Sequence, residues 1–467
     1  MKAALLLIYP TLLLSAYADT LPNLDENTKI ALPIIPKQSI KNPNITNIHN
    51  HMDTSNDDIE HRLGQAILQK DDRVIQQLLS QYQELPNADK IMVQYAQAVL
   101  YEKRLQLKQA IRIYRKILSD NPSLNAIRFE LAKVLFDDKQ MVAAKSQFEK
   151  VKSENPPELV QKLSDLYLNA IQKQSQIQIN LSLSYLNDNN INNANHDPFI
   201  GDTPFKKSQQ MFPQSATGVS FGLDIQKDFN LSGNHYVRAE NDLTSKYYWD
   251  NQDYNDIINR TSLGYLYQND QNRWAVLPFY EKRSYANQSY KSSYGVRGEY
   301  THWLSSSHQL STALEYTKNN YDDYHQLNGN SRLLLATYLW LVNAKRYVYF
   351  GADVSQENTQ EKNQTYHYQA MRMGVGQEWG KGVSSRIGVN FGKRQYQDKA
   401  VIGGIIPLDV VRKDDEFLLN IALWKRDWYF FGVTPRINYQ YKKTNSNIPS
   451  MYSTQKNQVF ISFEKSF

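Results

Sequence analysis

Nine histidines are scattered through the 467 residues, and there is no cysteine. The HExxH spacing, which puts two imidazoles and a carboxylate on one helix face to hold zinc, does not occur, and without thiolates the usual zinc sets are gone. No glycine-rich turn follows a strand and opens a helix, so nothing is placed to cradle a phosphate chain. His302 and His308, with abundant serines, supply the residue types of a serine hydrolase, but no local spacing joins a nucleophile to a base. The run Asp188-Asn189-Asn190-Ile191-Asn192 offers oxygen donors like the start of a calcium loop, yet the glycine and closing glutamate of such a loop are missing. The surrounding stretch SYLNDNNINNANHDPF, residues 184–199, therefore reads as a flexible asparagine-rich connection. No catalytic group, metal or cofactor is expected.

What remains is charge set in alternation. Arg238, Glu240, Arg297, Glu299, Arg372, Glu378, Arg386, Arg394 and Arg436 fall on the polar faces of two-residue repeats. In MRMGVGQEW, for example, Met371, Met373 and Val375 oppose Arg372, Gly374, Gly376 and Glu378. Residues of both signs on one face can pair across a wet interior, whereas in lipid each would be costly.

The elements carrying them begin near Gln174, where the apolar period changes from 3.6 to 2. After an alternating QIQINLSLSYL, runs recur near 216–229, 234–248, 254–268, 272–284, 289–304, 308–321, 331–342, 345–356, 364–379, 384–397, 415–424, 427–442 and 456–467. Fourteen strands are predicted, with longer polar connections at 187–213, 321–330, 356–364, 398–414 and 443–455. A soluble sandwich could share this pattern, but it would not need strands so long or so many aromatic residues near strand ends. Tyr247, Tyr248, Trp249, Trp274, Trp303, Trp340, Trp379, Trp424 and Trp428 are placed as interface girdles would want them. Nearly every run supplies the roughly 9 to 11 residues that span a bilayer, and the strand number is even. A closed membrane barrel is expected.

Ahead of it the chain changes character twice. MKAALLLIYPTLLLSAYADT reads as a signal peptide over 1–18, with cleavage between Ala18 and Asp19. Residues 19–57, rich in Pro, Asn and Ser, form a linker or arm. Residues 58–173 are helical and repeat at a period of 34: Ala98 with Ala132, Ala110 with Ala144, Tyr114 with Phe148, Ile117 with Val151, Asn121 with Asn155, Pro122 with Pro156. Small residues where two helices cross, an aromatic in the second helix and a closing proline make this the tetratricopeptide pattern. The net charge of +6 is spread along the chain rather than gathered in a basic block, so nucleic acid is not an expected partner.

The expected fold is thus an α+β multidomain chain: N-terminal α-helical tetratricopeptide-like repeats (58–173), then a C-terminal 14-stranded antiparallel transmembrane β-barrel (174–467). This order resembles the surface lipoprotein assembly modulator (Slam) family of Gram-negative outer membranes. The likeness is carried by Arg128-Phe129-Glu130-Leu131-Ala132 with Leu135-Phe136, by Ala144, Lys145 and Phe148, and by Tyr185 through Ala194. The resemblance implies a periplasmic helical domain that engages an exported client, and an outer-membrane barrel that helps the client reach or cross the surface. The implied client is a surface lipoprotein or a secreted haem- or iron-binding protein; the family brings no catalytic set and no cofactor. Gln94, Tyr95, Tyr101, Arg128 and Lys133, on the first helices of the pairs, are the client-contact candidates. The alternative reading is a polysaccharide-export or diffusion porin with a periplasmic repeat domain.

The last strand, QVFISFEKSF, sets Val459, Ile461, Phe463 and Phe467 toward lipid and Ser462, Glu464 and Ser466 toward the lumen. In a closed barrel it pairs with the first strand near 176–185. Phe467 resembles the closing aromatic that outer-membrane barrels present to their assembly machinery.

Overall fold

The computed structural model describes residues 58–466 apart from 403, 405, 431 and 432. The expected cleavage site at Ala18 and Asp19, the arm over 19–57 and the terminal Phe467 lie outside the described residues.

Seven helices come first: α1 (Asp58–Gln69), α2 (Asp72–Tyr82), α3 (Lys90–Lys103), α4 (Leu107–Asp120), α5 (Asn125–Asp137), α6 (Met141–Ser153) and α7 (Glu158–Gln174). They pack as consecutive pairs, with α7 covering the last. The period of 34 has a direct physical meaning. Ala98, Ala132, Ala110, Ala144, Tyr114, Phe148, Ile117 and Val151 are all 0% exposed, so the repeated positions are the contacts between helices. Alanine recurs where two backbones approach and no larger side chain fits. Each pair also turns through one left-handed residue, Lys70 (φ 52°), Leu105 (φ 56°) or Lys139 (φ 66°). Leu105 and Lys139 are one repeat period apart and Lys70 is one residue off it, though none is the glycine that such a conformation favours.

Fourteen strands follow: β1 (Gln178–Asp188), β2 (Ala216–Ser232), β3 (His235–Tyr248), β4 (Asp256–Gln268), β5 (Asn272–Tyr285), β6 (Gln288–Ser305), β7 (His308–Tyr321), β8 (Gly329–Asn343), β9 (Arg346–Thr359), β10 (Tyr366–Glu378), β11 (Val383–Ile402), β12 (Ile406–Lys425), β13 (Thr434–Ser446) and β14 (Thr454–Ser466). Each pairs antiparallel with its sequence neighbours, and β1 meets β14 to close the barrel. Alternation sorts the faces. On β5, Ala275, Leu277, Phe279, Glu281, Arg283 and Tyr285 are buried inside, while Trp274, Val276 and Tyr280 point out. Outward residues such as Leu263, Leu314, Met371 and Val459 are 61–71% exposed, a surface that only hydrocarbon can cover cheaply. No described helix is long and apolar enough to cross a membrane, so the strands are the spanning elements.

Four expectations need correction. The segment 398–414, expected to be a polar connection, is not a loop: β11 and β12 run on through it as strands of 20 residues each, and Ala400, Ile402 and Leu408 pack against Ile200, Met211 and Ile448 of neighbouring connections. The thirteenth strand begins at Thr434, not 427, because Arg426 and Asp427 make a turn and Phe430 bridges to Val433. Of the girdle aromatics, Tyr248, Trp303 and Trp424 lie on inward-facing positions; Tyr248 is buried and Trp424 stacks under the Arg436 guanidinium at 5.0 Å. Strand-end position alone cannot tell the two faces apart; register does.

The asparagine-rich stretch is the fourth. Rather than a slack connection, it is a folded knot. Asn190 accepts from the Ala194 N–H and donates to the Ala194 carbonyl, both at 2.9 Å. Asn192 donates to the Phe212 carbonyl at 2.9 Å and accepts from the Gln214 N–H at 3.0 Å. Amide side chains carry both a donor and an acceptor, so they can stand in for a strand partner where the backbone must turn.

Candidate functional site

Two surfaces can act on a partner: the repeat array and the barrel interior. In the array, Lys70 in the α1–α2 turn bonds Glu102 of α3 at 2.9 Å and reaches Glu130 of α5 at 3.6 Å. Lys133 bonds both Glu130 oxygens at 2.8 Å, and Tyr114 donates to Glu102 at 2.5 Å. Burial alone would raise the Glu130 carboxyl, but Lys133 and Lys70 outweigh it and hold the group below the usual carboxylate range. Burial likewise works against the Lys70 ammonium, yet Glu130 and Glu102 push its pKa up. This cluster ties three successive helix pairs together with charge.

The client-contact candidates are placed accordingly. Lys133 is buried and engaged with Glu130. Arg128 spans α5 and α6, donating to Gln147 at 3.1 Å and to the Pro122 carbonyl at 2.5 Å. Tyr95 and Tyr101 are half-buried against the repeat core, with Tyr95 tilted over Tyr114 at 6.1 Å. Gln94 is half-buried on α3. Four of the five thus already contribute to packing or helix clamping.

The array is seated on one end of the barrel through the α5–α6 turn. Asn234 in the β2–β3 turn donates to the Asp138 carbonyl, and the Tyr236 hydroxyl donates to the Lys139 carbonyl. Val142 N–H donates to Asn230 at 3.2 Å, and Lys108 donates to Tyr267 at 3.0 Å. Burial raises the carboxyls of Asp138 and of Asp270 in the β4–β5 turn, and each keeps one buried oxygen with no hydrogen-bond partner. Repeat helices and barrel rim therefore share a built junction rather than a bare linker.

Inside the barrel the predicted charges find partners, some among themselves and others that were not predicted. Arg238 makes a forked pair with Asp228 at 2.6 and 2.7 Å and reaches Glu240 at 3.3 Å. Arg297 joins Glu299 at 2.7 Å and Glu315 at 3.1 Å; Glu315 also binds Arg260, which binds Glu281 at 2.7 Å. Arg372 forks onto Asp353 at 2.6 and 2.7 Å. Arg394 pairs with Glu416 at 3.1 Å and lies over Tyr366 and Tyr368; Arg436 pairs with Glu464 at 2.5 Å. Glu378 meets Arg426 at 3.7 Å near the helical end. Among the described residues no carboxylate lies within ion-pair distance of Arg386. Sequence reading missed Asp228, Arg260, Glu281, Glu315, Asp353 and Glu416. The signal that could have found them is cross-strand register: Arg260 stands opposite Glu281, Arg297 opposite Glu315, and Arg238 opposite Asp228.

The glycines on the inner face have a steric role. A Cβ on Gly376 would sit 2.2 Å from the Tyr347 ring, and one on Gly374 2.5 Å from the Tyr349 ring. These rings lie across the neighbouring strand, where a side chain would otherwise stand. Gly376→Val is expected to destabilise the barrel by about 1–3 kcal/mol through overpacking. Thermal unfolding of the purified barrel checks this; unchanged melting would mean Tyr347 can swing into the lumen freely.

Comparison with known proteins adds a consistent set of likenesses. The family described as "Surface lipoprotein assembly modifier" matches residues 178–467, and the one described as "Surface lipoprotein assembly modifier, N-terminal TPR repeats" matches residues 45–148. The chain is 32% identical over 458 residues to surface lipoprotein assembly modifier 1 of Haemophilus influenzae, covering 95% of this chain and 93% of that one. It is 31% identical to the surface lipoprotein assembly modifier of Pasteurella multocida, covering 86% and 81% of the two chains. It is also 23% identical to the hemophilin secretion modulator of Acinetobacter baumannii, covering 88% and 86%.

Proposed function

The chain belongs to the surface lipoprotein assembly modifier family, an outer-membrane assembly and secretion factor with its helical domain outside the barrel, and from that premise we propose that it delivers one exported client to or across the outer membrane. The client is a surface lipoprotein or a secreted haem- or iron-acquisition protein; the relatives' names speak of surface lipoproteins and of hemophilin, which supports this reading. The observation that carries this reading is the junction: Asn234 and Tyr236 hold the α5–α6 turn against the barrel rim, so whatever the repeats bind is held at the periplasmic mouth. A stacked helical array offers an extended surface suited to such a partner. Within it, Gln94, Tyr95, Tyr101, Arg128 and Lys133 are the proposed contact region, with the Lys133 and Arg128 clamps shaping the surface more than touching the client. The barrel is the route or insertion point, held in lipid and put there by the barrel-assembly machinery. A porin reading draws no support from the lining, where the predicted arginines other than Arg386 each face a carboxylate.

The test removes residues 58–173 behind an intact export signal. A candidate lipoprotein and a candidate secreted haem-binding protein are co-expressed in turn, and surface display, secretion and small-solute flux are followed. Loss of display or secretion of one of them with a folded barrel is the expected result. Undiminished delivery of both, or a change in solute flux alone, would overturn the proposal in favour of a porin.

A further inference from the structure

The barrel is unevenly closed. Residues 180–184 of β1 pair with 462–466 of β14, from Asn180 opposite Ser466 to Ser184 opposite Ser462, and there the ladder stops. On their other sides the same two strands pair at full length: β1 with β2 from Gln178 to Asp188, and β14 with β13 from Thr454 to Glu464. The upper part of β14, residues 454–461, is therefore strand-paired on one side only. Every second residue of such an edge presents a backbone N–H and C=O with no ladder partner.

The position of this edge makes it unusual. Val459, on its outward face, is 70% exposed and stands beside Tyr439, which stands beside Ile421. The lower part of the edge, at Val459 and Ile461, thus lies in the apolar belt, where lipid chains cannot satisfy backbone groups, while Asn457 and Gln455 give its upper part a polar outward face. Over its upper half and beyond, the seam is bridged by side chains. Lys456 reaches across to Asp188 and to the Asn190 carbonyl; Asn195 donates to the Pro449 carbonyl at 3.0 Å and the Ser453 carbonyl at 2.5 Å; Lys207 donates to the Ser450 carbonyl. The asparagine-rich knot after β1 supplies the Asn190 and Asn195 ends of this clasp. Elsewhere in the barrel, parting two strands means breaking a ladder of eleven or more residue pairs; here, among the described residues, it means breaking five and a set of side-chain bonds.

We propose that the β1–β14 seam is a lateral strand-capture site: the free edge of β14 over residues 454–461 takes up an extended segment of the client by backbone pairing, and the Asp188–Lys456 clasp closes it at rest. Only another backbone matches a row of alternating donors and acceptors, and an added strand would continue the existing ladder. The segment's chemistry follows from the faces it must join. Beside Val459 and Ile461 its outward residues are apolar, and beside Lys456 and Gln458 its inward residues are polar. This places the client in the wall rather than solely in the ion-paired lumen, and it rests on the delivery function proposed above.

Two measurements keep the site and that function separable. First, a photoreactive residue is placed at Gln458 on the edge or, as a control, at Gln440 within the sheet, in the purified full chain. The probe is a synthetic eight-residue peptide alternating valine and threonine. Capture at Gln458 and not at Gln440 is expected; no capture, or equal capture at both, overturns the edge. Second, because the chain has no native cysteine, Asp188→Cys with Lys456→Cys, across the clasp, can be bridged by a short thiol reagent that reduction releases. Thr301→Cys with Ser311→Cys, opposite each other on β6 and β7, is the control. Loss of client display on bridging the seam, its return on reduction, and no loss in the control are expected. Full display through a bridged seam overturns the exit. Peptide capture at Gln458 with no display even in the reduced protein would count against the delivery function and leave the edge standing.

Discussion

Phe148→Ala is expected to destabilise the helical domain by about 3–5 kcal/mol while leaving the barrel's own unfolding in place. Phe148 is 0% exposed, stacked on Tyr167 of α7 at 4.8 Å and edge-on to Phe129 of α5 at 5.8 Å. Removing the ring therefore opens a cavity bounded by three helices, and the aromatic residues around it cannot collapse into the space without breaking their own contacts. The loss also undermines α7, which covers the last pair and leads into β1. Repeat arrays are stabilised mainly by contacts between neighbouring units, so a break here propagates to α5, which carries Glu130 and Lys133. Calorimetry of the full chain should show the helical transition lowered and the barrel transition unmoved. A single transition that shifts as a whole would mean that the junction at Asn234 and Tyr236 couples the two parts into one unit.

How much of this could be read from the sequence depends on the range of the interaction. The repeat was legible because Tyr114 and Phe148, or Ala110 and Ala144, answer the same local packing demand at a fixed spacing. The strands were legible because alternation is a two-residue property. The charged residues of the lining were legible one at a time, but their partners were not: Asp353 lies opposite Ala370 and reaches Arg372 diagonally, which needs the register of a hairpin that no single strand encodes. The β11–β12 extension was hidden for a similar reason. Residues 398–414 carry an apolar run between charged ends, but two glycines and a proline interrupt it and no regular alternation marks it as strand; only contact with Ile200, Met211 and Ile448, distant in sequence, gives Ala400, Ile402 and Leu408 something to bury against. The incomplete seam was least legible of all, since β1 and β14 each look like full strands in isolation.

Asp353→Ala is expected to cost the barrel about 3–5 kcal/mol, the penalty for leaving a buried arginine without its counterion. Asp353 is 2% exposed, and its two oxygens take both arms of the Arg372 fork, whose remaining bond goes to the Thr337 hydroxyl at 3.2 Å. The guanidinium fits only because position 351 is glycine, where a Cβ would stand 2.9 Å from it. The double variant Asp353→Leu with Arg372→Met should recover most of the loss, because it removes the desolvated charge along with its partner. Thermal unfolding of both variants separates the worth of the pair from the cost of breaking it; equal losses would mean that water reaches the site and the charges are not buried together. The recovered double variant then asks a functional question. If the seam carries the client, a folded barrel stripped of this one ion pair should still deliver it, whereas a barrel with β1 held to β14 should not.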